Sequence, residues 1–208
     1  MVLEERGGLG KRAPARYSPG MRPHRQLKYT YREYALLPDD GKRHELIDGD
    51  FYVTPASGTR HQRLLGRLHL ALAAQLSQVA EIFLAPTDVI LSEHDVVEPD
   101  LLVLRHDRAS LVSKRGIEGP PNLVIEILSP GNRGNDEFLK RGTYARCSVP
   151  EYWLVDPEAG FVTVLRAEQP GAPYTLLARF GRVSELTSVE FPELKLPLGP
   201  LFEGLITS

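Results

Sequence analysis

The sequence predicts a mixed α/β (α+β) fold, a central mixed β-sheet flanked by helices with one hairpin added at each end. Three features carry this. Leu64, Leu65, Leu68, Leu72, Leu76 and Val79 recur at helical spacing. Asn122 to Leu128 is β-branched and almost wholly apolar, as a central strand buried on both faces must be. Asp48-Gly49 divides two apolar-rich runs, and that dipeptide favours the positive φ angles of a tight hairpin turn.

In chain order, residues 1–28 lack hydrophobic periodicity and read as a basic, flexible arm. Residues 29–208 read as one domain. Thr30 followed by Glu33 has capping-box spacing and predicts a short helix ending before Pro38. The hairpin strands run from Arg43 to Ile47 and from Phe51 to Thr54. A proline-free helix spans His61 to Val79. Strands follow at Ile82 to Leu84, Val89 to Ser92 and Leu101 to Leu104, then a polar loop or short helix to Pro121. The central strand stops at Ser129-Pro130-Gly131-Asn132, and Asn135 or Asp136 is expected to cap a helix running to about Arg146. Tyr152 to Val155 is a further buried strand. Phe161 to Arg166 and Tyr174 to Phe180 form a terminal hairpin, and the proline-rich tail from Phe191 reads as an irregular wrap with apolar anchors.

The composition, 42% hydrophobic and 25% charged, excludes a mainly disordered chain. The lone Cys147 excludes an internal disulfide and disfavours a cysteine-rich zinc site. No run approaches a membrane span and no apolar segment follows the charged N-terminus, so the expectation is a cytoplasmic protein without a membrane partner. Residues 1–28 hold seven basic side chains against two acidic. That is +5, which leaves -7 on the rest of a chain whose net charge is -2. A basic arm on an acidic body can track phosphates, but chemistry on a phosphate would need a local site with a metal to offset the carboxylates.

Glu126 is the most unusual residue, a carboxylate inside an apolar strand, where burial without a partner costs several kcal/mol. Alternation puts it on one face with Val124 and Leu128. Asp100 begins another apolar strand directly after Pro99. If the two strands are neighbours, the carboxylates converge as two hard oxygen donors, an incomplete shell for Mg²⁺ that water and a substrate phosphate would complete. Asp136, Lys140 and Tyr144, spaced i, i+4, i+8, share a helical face that the preceding loop can turn toward Glu126. Lys140 could there orient or deprotonate a water or stabilise charge on the phosphate. Glu45 shares a face with Ile47 in the first hairpin strand and would be a second semi-buried acid. His61, at the start of the long helix, and Tyr144 are candidate substrate-binding residues.

The set His44-Glu45-Leu46-Ile47-Asp48-Gly49, His61, Pro99-Asp100, Val124 to Pro130, Asp136, Lys140, Tyr144 and Glu151 to Asp156 resembles a restriction-endonuclease-like family. These are bacterial domains of unknown function within the PD-(D/E)XK nuclease superfamily. The resemblance runs from about Tyr29 to Leu205. It implies a restriction-endonuclease-like core with Asp100 and Glu126 as metal ligands and Glu45 as an accessory acid. The superfamily pattern places a lysine two residues after the second acid, where this chain has Leu128. Similar members supply it from the following helix, which here means Lys140.

The leading expectation is therefore a nuclease, an endonuclease that hydrolyses DNA phosphodiester bonds with Mg²⁺, Mn²⁺ being able to substitute. DNA would be the partner, a homodimer the assembly, and no organic cofactor would be needed. The alternative is a catalytically inactive nuclease-fold module that binds nucleic acid or protein. A glycosidase acid pair is disfavoured, because nothing flanking Asp100 and Glu126 supplies an aromatic sugar platform.

Overall fold

A computed structural model describes residues 27–205 apart from 39, 130 and 132. The arm read over residues 1–28 therefore lies almost wholly outside the described residues, as do Pro130 and Asn132 of the strand stop. Helix α1 (Tyr31–Tyr34) is closed by the capping box expected of Thr30 and Glu33. Strands β1 (Arg43–Ile47) and β2 (Asp50–Thr54) pair antiparallel across Asp48-Gly49, with φ of 50° and 80° at the two turn residues. Left-handed φ at both is what a two-residue turn of matching twist requires, and glycine supplies it without a steric penalty. Helix α2 (Thr59–Leu76) buries Leu64, Leu65, Leu68, Leu72 and Leu76, the stripe read from the sequence.

Strands β3 (Ala80–Leu84), β4 (Val89–Ser92), β5 (Asp95–Val97) and β6 (Leu101–Arg105) follow. The three-residue β5 was not anticipated. Its run is short and bounded by polar residues, so pattern alone does not separate it from a loop. The stretch after β6 forms a 3₁₀ turn, His106–Leu111, and the small strands β7 (Val112–Ser113) and β8 (Gly116–Ile117). Next come β9 (Leu123–Ile127), a π-helical turn at Asn135–Lys140, and helix α3 (Arg141–Arg146). Then β10 (Glu151–Asp156), β11 (Phe161–Arg166) and β12 (Thr175–Gly181) complete the main sheet. The tail is more regular than expected: β13 (Glu185–Thr187) pairs with β14 (Lys195–Pro197), and helix α4 (Gly199–Phe202) follows.

Two six-stranded sheets result. The main sheet has the order β12-β11-β10-β9-β6-β3, with β9 and β10 parallel and the other pairs antiparallel. The second has the order β2-β1-β5-β4-β8-β7. Alternation along β9 divides the core. Leu123, Ile125 and Ile127 pack with α2 and the C-terminal anchors Phe191, Leu194, Leu196 and Leu198. Val124 and Leu128 pack with Ile47, Val89, Val97, Tyr144 and Tyr152, between the second sheet and α3. Glu126 projects on this second side, so its carboxylate sits where the second sheet, the main sheet and the helix after β9 meet.

One expected cap is corrected. Asn135 and Asp136 do not start the helix; helical backbone already begins at Arg133, and both lie inside the π-helical turn. Asp136 is buried and its Oδ1 lies 3.7 Å from Lys140 Nζ. The carboxylate that would have capped an amide is drawn inward by an ammonium group instead.

Candidate active site

Strand neighbours bring the two central acids together. β6 pairs with β9, Leu101 opposite Ile125, so Asp100, one residue before β6, comes level with Glu126. Asp100 Oδ2 accepts from the Ile127 amide at 2.9 Å, and the Asp100 amide lies 3.4 Å from Glu126 Oε2. Both side chains line one cavity of about 240 Å³, together with Arg43, His61, Asp136 and Lys140. Its wall is completed by the Pro55-to-Gly58 loop ahead of α2 and by Ile127, Ser129 and Gly131.

Asp100 is held on three sides. His61 Nε2 donates to its Oδ2 at 2.8 Å and Arg43 Nη1 to its Oδ1 at 3.2 Å, with the Ile127 amide as the third donor. Burial pushes its pKa up, but His61, Arg43 and the amide outweigh burial and hold it below the usual aspartate value. Arg43 reaches past Asp100 to the Glu98 backbone carbonyl and lies 3.4 Å from Glu98 Oε2. Glu98 is pushed up to about 7 by burial, which Arg43 offsets only in part.

Glu126 is held differently. Its Oε1 accepts from Lys140 Nζ at 3.0 Å and from the Tyr144 hydroxyl at 2.7 Å. Burial raises its pKa; Lys140 opposes this, while Asp100 and Glu45 add to it. Lys140, 2% exposed, also sits 2.8 Å from Glu45 Oε1. Glu45 is fixed in turn by Thr54 Oγ1 and the Glu98 amide. Burial disfavours the ammonium, but Glu126, Glu45 and Asp136 outweigh burial and carry its pKa above the usual lysine value. The three acids therefore favour the charged ammonium over the free amine that deprotonating a water would need. Asp136 is pushed up to about 8 by burial and by Glu126.

The structure thus gathers Glu45, Asp100, Glu126 and Lys140, and it places His61 against Asp100 on the cavity wall. It does not leave Tyr144 within reach of a substrate. The ring is fully buried between Glu126 and Tyr152, so the expected substrate contact is corrected to a support for Glu126. Sequence reasoning missed Arg43 and Glu98. Arg43 stands two residues before Glu45 on the same strand face, which alternation could have flagged once Glu45 was taken as inward.

Five buried or half-buried carboxylates, of Glu45, Glu98, Asp100, Glu126 and Asp136, surround two permanent cations, Arg43 and Lys140. Burial is the main cause that raises three of those acids, Glu98, Glu126 and Asp136, and their negative neighbours add to it; the excess of carboxylates suits a divalent cation. Among the described residues no three His, Cys, Asp or Glu side chains form a ready-made metal shell. The donor set fits an ion that keeps several waters and takes one or two carboxylates, as Mg²⁺ does.

The family described as "Uma2: Putative restriction endonuclease" matches residues 31–199. The chain belongs to this family. A comparison with curated proteins gives no match. Among solved structures, the chain is similar to a putative nuclease belonging to DUF820 from Anabaena variabilis. The TM-score is 0.70 at 22% identity, over 85% of this chain and 98% of that one. At that identity the likeness establishes the fold, which is the restriction-endonuclease-like fold expected of the sequence. Within the family match fall both central acids, Lys140 and the Glu45 strand. Among the described residues no helix is long and apolar enough to cross a membrane.

Proposed function

We propose that this member of the family is a metal-dependent nuclease that hydrolyses DNA phosphodiester bonds, with Asp100 and Glu126 holding Mg²⁺ and Lys140 assisting. The observation that carries the reading is the convergence of Asp100, Glu126 and Lys140 on one cavity wall. When bound, a divalent ion supplies charge neutralisation at the scissile phosphate and a more acidic water. The chain's own residues do the rest. Arg43, His61 and the Ile127 amide keep Asp100 ionised and fixed in direction. Tyr144 and Lys140 orient Glu126, leaving Oε2 as its freer oxygen. Lys140 Nζ keeps its proton and presents positive charge at the cavity, where it stabilises charge that builds on the phosphate oxygens. Glu45 and Thr54 fix that ammonium from behind.

A non-catalytic binding module is the second reading, favoured by Leu128 at the position of the superfamily lysine, where it packs in the core. Incubating the purified protein with single- and double-stranded DNA and Mg²⁺ or Mn²⁺ separates the two. Cleavage that disappears in Asp100→Asn supports the nuclease. Intact DNA that is nonetheless bound supports the module.

A further inference from the structure

Helix α2 differs in charge from the body it packs on. It carries Arg60, Arg63 and Arg67, with no aspartate or glutamate along its 18 residues. The spacing i, i+3, i+7 puts the three guanidinium groups on one face, about 10 Å from first to last at 1.5 Å rise per residue. That face flanks the buried leucine stripe.

Although Arg108 and Arg141 also donate to backbone carbonyls without an acidic partner among the described residues, several arginines elsewhere are neutralised at close range: Arg115 by Glu118, Arg133 by Asp156 and Glu137, Arg146 by Asp95. Those of α2 are not. Among the described residues Arg60 has only Glu158, at 4.0 Å. Arg63 is exposed and has no partner among the described residues. Arg67 donates to the backbone carbonyls of Leu201 and Glu203, which fix the side chain without cancelling its charge. The stripe also starts at the cavity, since Gly58 and His61, which flank Arg60 in the first turn, both line it.

We propose that this arginine stripe on α2 is the track for the substrate strand beside the cleavage cavity, with Arg60 and Arg63 contacting backbone phosphates that flank the scissile one. The assignment rests on the nuclease reading and adds a direction to it. One strand carries a charge about every 3.4 Å of helix axis, so the stripe spans about three successive phosphates. A chain that is acidic over residues 29–208 needs such a local attractor. Without it, the carboxylates around the cavity would repel the strand that must enter.

The experiment is a salt series of binding to a short fluorescein-labelled DNA single strand. It compares wild type, Arg60→Ala/Arg63→Ala, Arg60→Lys/Arg63→Lys and Lys114→Ala. Lys114 is an exposed cation without a partner among the described residues, in the turn between β7 and β8, at the far edge of the second sheet from β1. The alanine pair is expected to weaken binding about tenfold and to lower the log–log salt slope by about 1.4 for two lost phosphate contacts. Cleavage should fall through KM rather than kcat. The lysine pair should retain most of the slope and Lys114→Ala all of it.

An unchanged slope in the alanine pair, or an equal loss in Lys114→Ala, overturns the track even if wild type cleaves DNA. Binding with the expected slope change but no cleavage by wild type keeps the track and discards the nuclease. Wild type that neither binds nor cleaves discards both. Equal thermal unfolding of all four proteins excludes misfolding as the cause.

Discussion

Asp100 and Glu126, two of the three acids that line the cavity, sit side by side across neighbouring strands yet are stabilised in opposite ways. Asp100 is surrounded by donors that exceed its charge, two from side chains and one from backbone, and its proton affinity falls. Glu126 shares a single ammonium with two other carboxylates, and its proton affinity rises. One half of the site is therefore a carboxylate held in its ionised form. The other is an acid whose ionised form is disfavoured. A divalent ion between them would draw on the readiness of the first and relieve the crowding of the second, a division that burial alone would not produce.

Removing either acid is the largest perturbation. Asp100→Asn and Glu126→Gln are each expected to lower DNA cleavage about 10³-fold. The comparison sharpens in metal titration. Calorimetry with Mn²⁺ should lose the site in Asp100→Asn, and equal binding by wild type and variant would remove Asp100 from the metal role.

Lys140→Ala tests the crowded half directly. It leaves Glu45, Glu126 and Asp136 buried without their shared cation, so a stability loss of about 3 kcal/mol is expected at neutral pH. Mn²⁺ should restore part of that loss, because the ion neutralises the same carboxylates, while cleavage stays depressed. A variant as stable and as active as wild type would show that the lysine neither balances the acids nor serves the reaction.

How far this site was readable follows from the same residues. Glu126 stood out because a carboxylate inside an apolar strand is costly, and that cost is local to the sequence. Asp136, Lys140 and Tyr144 could be aligned because helical periodicity is also local, although the π-helical turn that carries the first two was not foreseen. Arg43 and Glu98 escaped notice because their importance depends on β1 lying close to the chain just before β6, a contact between segments about 55 residues apart. β5, which pairs with β1, was too short to show a period. Pattern exposed the residues that break a local rule, and it missed those whose role is set by tertiary neighbours.

Asp136 gives a pH-dependent test of the crowding. Its folded-state pKa, about 8, lies above the ordinary value near 3.8. Folding therefore favours the protonated acid, and the carboxylate costs stability increasingly as pH rises from about 4 to about 8. Asp136→Asn keeps the shape of the neutral form. It should nearly match wild type near pH 4 and exceed it by about 4 kcal/mol at pH 7, read from chemical denaturation across that range. A gain that is equal at both ends would mean the effect is not the proton.

The smallest expected effects separate the halves most finely, because each removes one hydrogen bond from one acid. Tyr144→Phe takes the hydroxyl from Glu126 Oε1 and leaves Lys140 as its main partner. A buried bond to a charged acceptor contributes about 1.5 kcal/mol, so stability should fall by that amount. Glu126 should also become harder to ionise, since the hydroxyl favours its charged form. His61→Gln removes the imidazole from Asp100 Oδ2, but Arg43 and the Ile127 amide remain. Because His61 does most to offset the burial of Asp100, Asp100 should become harder to ionise, Arg43 and the amide keeping part of the effect, and cleavage should drop about tenfold from looser positioning. If neither His61→Gln nor Tyr144→Phe shifts the pH profile of cleavage, these two donors do not set the ionisation of Asp100 and Glu126.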